Sequence, residues 1–181
     1  MKYMIISDLH GSFVWAQKIL RTFEAEQADY LLVLGDLLYH GPRNPLPEGY
    51  DPQQAASVLN SISNKIIAVR GNCDAEVDQM MLDFPLTADY NILPYGNRKI
   101  LLSHGHLFNE RNLPKSMVAG DLFMYGHTHL PTLKEEGGLY LFNPGSVSMP
   151  KENHPHTYGV LEENQLYIKT FDGEIYRHGH L

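Results

Sequence analysis

The chain has 181 residues, 43% of them hydrophobic and 19% charged, with a formal net charge of −7. That length predicts one domain over 1–181, with a core large enough to need no staples. No apolar run approaches the ~20 residues of a membrane span, one Cys excludes a disulfide framework or a Cys-rich metal site, and the acidic balance argues against extended nucleic acid as a partner.

Phosphate chemistry stays open, because bound cations can reverse a local sign. Asp8 cuts the first apolar run too early for a signal peptide, so the cytoplasm is the expected location.

Residues 3–7 read as a short buried strand that ends at Asp8. Ser12 stands at an N-cap, and Val14, Ile19, Leu20 and Phe23 form an apolar stripe, predicting a helix over 13–26. Residues 30–34 form a second buried strand ending at Gly35-Asp36. The Pro- and Gly-rich stretch 37–50 is a loop. Asp51, Pro52 and Gln54 open a helix that runs to about Ser63. A third buried strand, 65–69, ends at Arg70-Gly71-Asn72. This βαβαβ pattern predicts a parallel sheet covered on both faces.

After a short helix at 75–82, the pattern changes. Segments near 88–93, 99–103, 121–125, 131–135, 138–142, 157–161, 165–171 and 174–177 are short, rich in β-branched or aromatic residues, and separated by turns. They predict a second, mixed or antiparallel sheet packed on the first. Its strand ends carry Ser103-His104-Gly105-His106 and Gly126-His127-Thr128-His129.

Ligands of open α/β sheets bind at the carboxyl ends of strands. Asp8 and His10, two apart at such an end, point to one side and can share an ion. Asp36 offers a carboxylate, Asn72 an amide oxygen, and His104, His127 and His129 imidazoles. That donor set suits Mn, Fe, Zn or Ni better than Ca or Mg. Seven ligands exceed one tetrahedral site but fit two ions sharing a carboxylate, ~3.5–4 Å apart. Mn²⁺ is the first choice, since carboxylate and amide oxygens dilute the imidazoles. Each fragment alone has a plainer reading: Gly-Asp and Gly-Asn make turns. Five fragments in order, each ending an apolar strand, are much harder to dismiss.

This order of fragments resembles the calcineurin-like metallophosphoesterases, over residues 4–148. It is most similar to their small bacterial phosphodiesterases, through Gly71-Asn72-Cys73-Asp74, His104-Gly105-His106, Asn143-Pro144-Gly145-Ser146 and the Gly41-Pro42-Arg43-Asn44 loop. The resemblance implies an α/β four-layer αββα sandwich of two mixed sheets. It also implies a ligand split: Asp8, His10, Asp36 and His129 on one ion, and Asp36, Asn72, His104 and His127 on the other. Spacing alone leaves open whether His127 and His129 share an ion. The implied activity is hydrolysis of small phosphodiesters by a metal-bridging hydroxide that attacks phosphorus in line.

Asn72, Cys73, His106 and Arg43 are the candidate catalytic residues. Many members of the family have His where this chain has Cys73. A thiol is a weaker donor and carries no positive charge, so leaving-group assistance is expected to be weak. Its plainer reading is a small buried hydrophobe. Arg43 suits phosphate contact, or is a solvated loop cation. His106 either meets substrate or supports a ligand, or is simply structural. Asp74 is expected to cap the following helix. Asn143 either orients ligands or shapes a Pro-Gly turn, and His154, His156, His178 and His180 lie outside the motifs.

The alternatives are a phosphomonoesterase and a weakly catalytic interaction module of the same fold. Leu37-Leu38-Tyr39-His40-Gly41 follows Gly35-Asp36, without the Asp-Arg-Gly of phosphoprotein phosphatases. Loss of a ligand would mark the interaction module, and all seven are present. Exposed Tyr or Phe on the second sheet could form a homo-oligomer face.

Overall fold

Eleven strands and three α-helices make up the computed structural model, which describes residues 1–181. Strands β1 (Lys2–Ile6), β2 (Tyr30–Val33) and β3 (Ile66–Ala68) lie side by side and parallel. Helices α1 (Phe13–Glu26) and α2 (Pro52–Asn60) are the crossovers between them. Ser12 Oγ caps α1 by accepting from the Trp15 N–H at 3.3 Å. Asp51 Oδ1 caps α2 by accepting from the Gln54 N–H at 3.0 Å, with Pro52 in the first turn, where its missing N–H costs nothing. The second helix ends at Asn60, short of Ser63. The Ser61 hydroxyl donates back to the Val58 carbonyl, and a 3-10 turn over Ser63–Lys65 leads into β3. The short helix α3 spans Glu76–Gln79.

The second sheet holds β4 (Tyr90–Tyr95), β5 (Arg98–Ser103), β6 (Leu122–Met124), β7 (Thr132–Glu136) and β8 (Leu139–Asn143), in the order β4-β5-β6-β8-β7. Its three central strands are parallel and both edges are hairpins. The last three strands, β9 (Thr157–Glu162), β10 (Gln165–Thr170) and β11 (Ile175–His180), do not join it as expected. They extend the first sheet, whose order is β11-β10-β9-β1-β2-β3. Antiparallel β9 occupies the free edge of β1, with Lys2 opposite Glu162. The first sheet is therefore mixed rather than parallel. Pairing on both sides makes β1 a central strand, which suits its apolar run.

Side chains of the first sheet alternate between two cores. Met4, Ile6, Leu31 and Val33 pack with Trp15, Ile19 and Phe23 of α1 and Ala55 and Leu59 of α2. Tyr3, Ile5 and Leu32 face Ile100, Leu102, Leu122, Met124 and Phe142 of the second sheet. The outer face of that sheet, with Leu101, Phe123, Tyr125 and Leu141, is covered by Phe108, Leu113 and Met117. These come from the irregular segment 104–121, so the two mixed sheets are sandwiched between helices on one side and non-helical chain on the other.

Glu26 fastens α1 to this sheet. Its carboxylate meets Lys2 at 2.8 Å and Lys169 at 2.7 Å and accepts from the Tyr158 hydroxyl at 2.8 Å, reaching β1, β10 and β9. Burial would raise its pKa, but Lys169, Lys2 and Tyr158 outweigh it and bring it down to about 2. A pKa depressed in the folded state contributes stability above the unfolded value near 4.5, which is lost as pH falls toward 2. Glu26→Gln is expected to cost about 1–2 kcal/mol at pH 7. The gap should narrow at pH 3, as read by urea denaturation of both proteins at the two pH values.

Candidate metal centre

Seven polar side chains converge where β1, β2, β3, β5 and β6 end. Asp8 and His10 follow β1, Asp36 follows β2, Asn72 follows β3, His104 follows β5, and His127 and His129 follow β6. Three sheet strands and two from the facing sheet thus deliver donors to one edge of the sandwich, as the sequence pattern predicts.

The backbone at this edge is strained. Asp8, His10, Asp36, His127 and His129 all have positive φ, between 51° and 67°. Such conformations cost L-residues energy and persist only where the surroundings hold them. Asp8 shows how. Its N–H donates to the Gly35 carbonyl at 3.1 Å, and its own carbonyl accepts from Ser146 and Ser148 hydroxyls at 2.9 and 3.1 Å. The His127 N–H donates to its Oδ2 at 3.1 Å. Two glycines let the neighbouring strand ends approach. A Cβ on Gly35, at φ 94°, would sit 2.5 Å from Gly71 N, and one on Gly71 would sit 2.4 Å from Asp36 N.

Asp74 does not cap α3 as expected. It is buried and accepts the N–H groups of Asp36, Leu37 and Gly71 at 2.7–2.8 Å, tying the ends of β2 and β3 together. Burial and the Asp36 charge push its pKa up to about 6 against those hydrogen bonds. Ala75 holds the N-cap position instead, and Asp78, inside the first turn, accepts from its N–H at 2.8 Å.

Three histidines are oriented in the same way. Nδ1 of His10, His104 and His129 lies 2.9, 2.7 and 2.6 Å from the carbonyls of Tyr39, Leu34 and Met149. Donation to a carbonyl fixes the tautomer and leaves Nε2 free to act as a ligand. His129 Nε2 is 3.2 Å from Asp8 Oδ1, and His10 Nε2 is 3.7 Å from the same oxygen. Asp36 Oδ2 is 3.8 Å from His10 Nε2 and 3.4 Å from His104 Nε2. Asn72 Oδ1 lies 3.1 Å from His104 Nε2. Asp36 therefore stands between the two groups, and its other oxygen accepts from the Cys73 N–H at 2.8 Å.

Donor atoms within each of two triads, Asp8-His10-His129 and Asp8-Asp36-His104, lie within 4.8 Å of one another. Asp8 Oδ1 and His10 Nε2 are fully buried yet have no hydrogen-bond partner. Buried polar atoms are ordinarily paired, and a divalent cation would satisfy both. The site's residues fit such a group.

Charge supports the same reading. Burial would raise Asp8, but His10 and His129 hold it well below the usual carboxylate range. Burial lowers His104 less than Asp36 and Asp8 raise it, and its pKa reaches about 9. Two buried carboxylates thus draw positive charge to themselves, here as protons. His127 and His106 are pushed down by burial and by the neighbouring His104 charge.

A cleft of about 510 Å³ opens beside these donors, lined by Asp36, Asn72, Cys73, His127 and His129 and by Arg43, Asn44 and Lys151. It gathers three of the four sequence-derived catalytic candidates. His106 lies elsewhere, in a second cleft of about 440 Å³ beyond His127, with Tyr125 and Thr128. Cys73 Sγ touches the 41–44 turn, since a Cβ on Gly41 would fall 2.9 Å from it. Burial and the Asp36 charge push this thiol up to about 12. Asn143 shapes the Pro-Gly turn and also ties it to the chain around His127. Its amide donates to Gly126 O and Thr128 Oγ1 at 2.9 and 3.0 Å, and its oxygen accepts from the Gly145 N–H at 2.9 Å.

Sequence reasoning missed Lys151, Ser146 and Ser148 as parts of this site. Ser146 stood in a recognised turn, but nothing in its spacing points to Asp8. The histidines outside the motifs pack elsewhere: His156 stacks on Trp15, and His178 on Tyr167.

Two mixed sheets with these donors at one edge define a calcineurin-like phosphoesterase, and the chain belongs to that superfamily, whose domain is recognised over residues 1–165. Its sequence is 48% identical to phosphodiesterase YfcE of Escherichia coli K12 over 168 residues, 93% of this chain and 91% of that protein. The solved structure of YfcE, described as a phosphoesterase from E. coli, superposes with a TM-score of 0.97 at 45% identity, over 99% of both chains. Vps29 of Entamoeba histolytica, solved with Zn²⁺, shares the fold, with a TM-score of 0.64 at 22% identity over 100% of this chain and 98% of that one. No helix of the chain is long and apolar enough to cross a membrane.

Proposed function

We propose that this chain is a metal-dependent phosphodiesterase that hydrolyses small phosphodiesters at a dinuclear centre. One observation carries the reading: two buried carboxylates and three carbonyl-oriented imidazoles converge, with the buried Asp8 Oδ1 and His10 Nε2 making no hydrogen bond. The 48% identity to phosphodiesterase YfcE supports the diester class.

Asp8, His10, Asp36 and His129 would hold one ion, and Asp36, Asn72, His104 and His127 the other. The position of Asp36 Oδ2 between His10 and His104 supports its bridging role. Divalent cations held there, Mn²⁺ by first choice, would supply Lewis acidity toward water and phosphate. The chain's own residues do the rest. The Asp36 and Asp8 carboxylates would fix the cations, and the carbonyls of Tyr39, Leu34 and Met149 aim the imidazoles. Cys73 stays a neutral thiol beside the leaving group, a weak donor, so substrates with good leaving groups are favoured.

The test compares bis-p-nitrophenyl phosphate with p-nitrophenyl phosphate, using metal-stripped protein alone and with added Mn²⁺, Zn²⁺, Fe²⁺ or Ni²⁺. Mn²⁺ is expected to restore cleavage, with the diester preferred. A preference for the monoester would replace the reading with a phosphomonoesterase. Inactivity with all four metals would leave the interaction module of the same fold.

A further inference from the structure

Arg43 and Lys151 both line the cleft from segments far apart in sequence, and neither side chain forms an ion pair or hydrogen bond within the chain. Both are exposed. In a chain of net charge −7, two free cations in one small cleft are conspicuous. Asp36 is the only carboxylate lining that cleft, and it is committed to the metal centre in the function proposed above. Besides the candidate ligands Asn72, His127 and His129, the remaining walls are Gly41, Pro42, Asn44 and Cys73, with no Phe, Tyr or Trp on which a base could stack.

Each cation also rides on a segment anchored at the metal centre. The Tyr39 carbonyl orients His10, and four residues on stands Arg43, in a turn closed by Asn44 Nδ2 donating to the His40 carbonyl at 2.9 Å. The Met149 carbonyl orients His129, and two residues on stands Lys151; the Met149 N–H is itself held by Ser146 Oγ at 2.9 Å. The same short stretches of chain therefore fix two imidazoles and two positive charges. One scissile phosphate gives up most of its charge to the metal centre, so two further cations call for a further anion.

We propose that Arg43 and Lys151 form a cationic subsite for a second anionic group, so that the preferred substrates are phosphodiesters carrying an additional phosphate on one arm. Arg suits bidentate contact with phosphate oxygens, and Lys adds a point charge. The proposal rests on the phosphodiesterase reading and names the substrate class within it.

Two diesters that differ in one group test it: thymidine 5′-(p-nitrophenyl phosphate), and the same compound bearing a 3′-phosphate. In the Mn²⁺-loaded protein the added phosphate is expected to raise kcat/KM about tenfold or more, mainly through KM. The ratio between the two substrates should approach one in Lys151→Ala and in Arg43→Ala, and Lys151→Arg should restore most of it. A wild-type ratio near one, or a ratio indifferent to both substitutions, would overturn the subsite. Calorimetry keeps the two proposals separable. Thymidine 3′,5′-bisphosphate should bind more tightly than thymidine 5′-phosphate, and Lys151→Ala should erase the difference. If neither diester is cleaved, the phosphodiesterase reading fails while this difference still decides the subsite.

Discussion

Asp36→Asn is expected to lower metal-dependent diester hydrolysis by at least about 10²-fold, since changes one step removed from a metal already cost 10–100-fold. The substitution keeps shape and removes charge. Oδ2 of Asp36 faces both His10 and His104, so one amide replaces a carboxylate poised between the two. Half of any Asn conformers would also turn an NH₂ toward the cations. The fold should survive, because the backbone N–H of Asp36 and of Leu37 are held by Asp74 and not by the Asp36 side chain. Kinetics on bis-p-nitrophenyl phosphate with excess Mn²⁺, beside a circular dichroism melt, check both halves. Activity within tenfold of wild type would remove Asp36 from the bridging position.

Divalent cation should also stabilise the folded chain. A cation at 100 times its Kd contributes about 2.7 kcal/mol, which in a chain of this length corresponds to roughly 5–10 °C in Tm. Excess EDTA should reverse the shift. The effect has a pH dependence of known sign. Burial lowers the His104 pKa, but Asp36 and Asp8 more than compensate, and without metal it stands at about 9. His10 is likewise raised by Asp8 despite its burial. A cation must displace these protons. Apparent Mn²⁺ affinity should therefore climb between pH 6 and pH 9, with proton release on binding. Thermal melts across that range, with and without Mn²⁺, measure it. A Tm indifferent to Mn²⁺ would mean that the orphaned Asp8 and His10 atoms are not ligands.

Local features of the sequence carried far. The apolar runs ending at Asp8, Asp36 and Asn72 became β1, β2 and β3, and Ser12 and Asp51 cap the helices assigned to them. The convergence of the candidate ligands was readable because a strand's last residue and its direction fix where the next side chain goes. Sheet membership was not. A short alternating segment says that it pairs, and not with what; β9 reads the same whether it joins β1 or β7. The partner of β9 lies some 155 residues away, and no local pattern encodes that. Asp74 was misread for a related reason. It precedes a helix, as a cap does, but three N–H groups from the chain just after β2 and β3 outcompete the single N–H a cap would take. Lys151 had no signal at all, because only the tertiary path from Met149 brings it to the cleft.

The place of β1 between β2 and β9 has a consequence for biosynthesis. On the ribosome β1 can pair with β2 early, but its other edge stays bare until residues 157–162 emerge. Pairings of such long range form slowly, and unpaired strand edges in the interval invite aggregation. The hydroxyls that hold the Asp8 carbonyl, from Ser146 and Ser148, arrive just before. A nascent chain stalled short of Ser146 therefore carries Asp8 without the hydroxyls that hold its carbonyl in place.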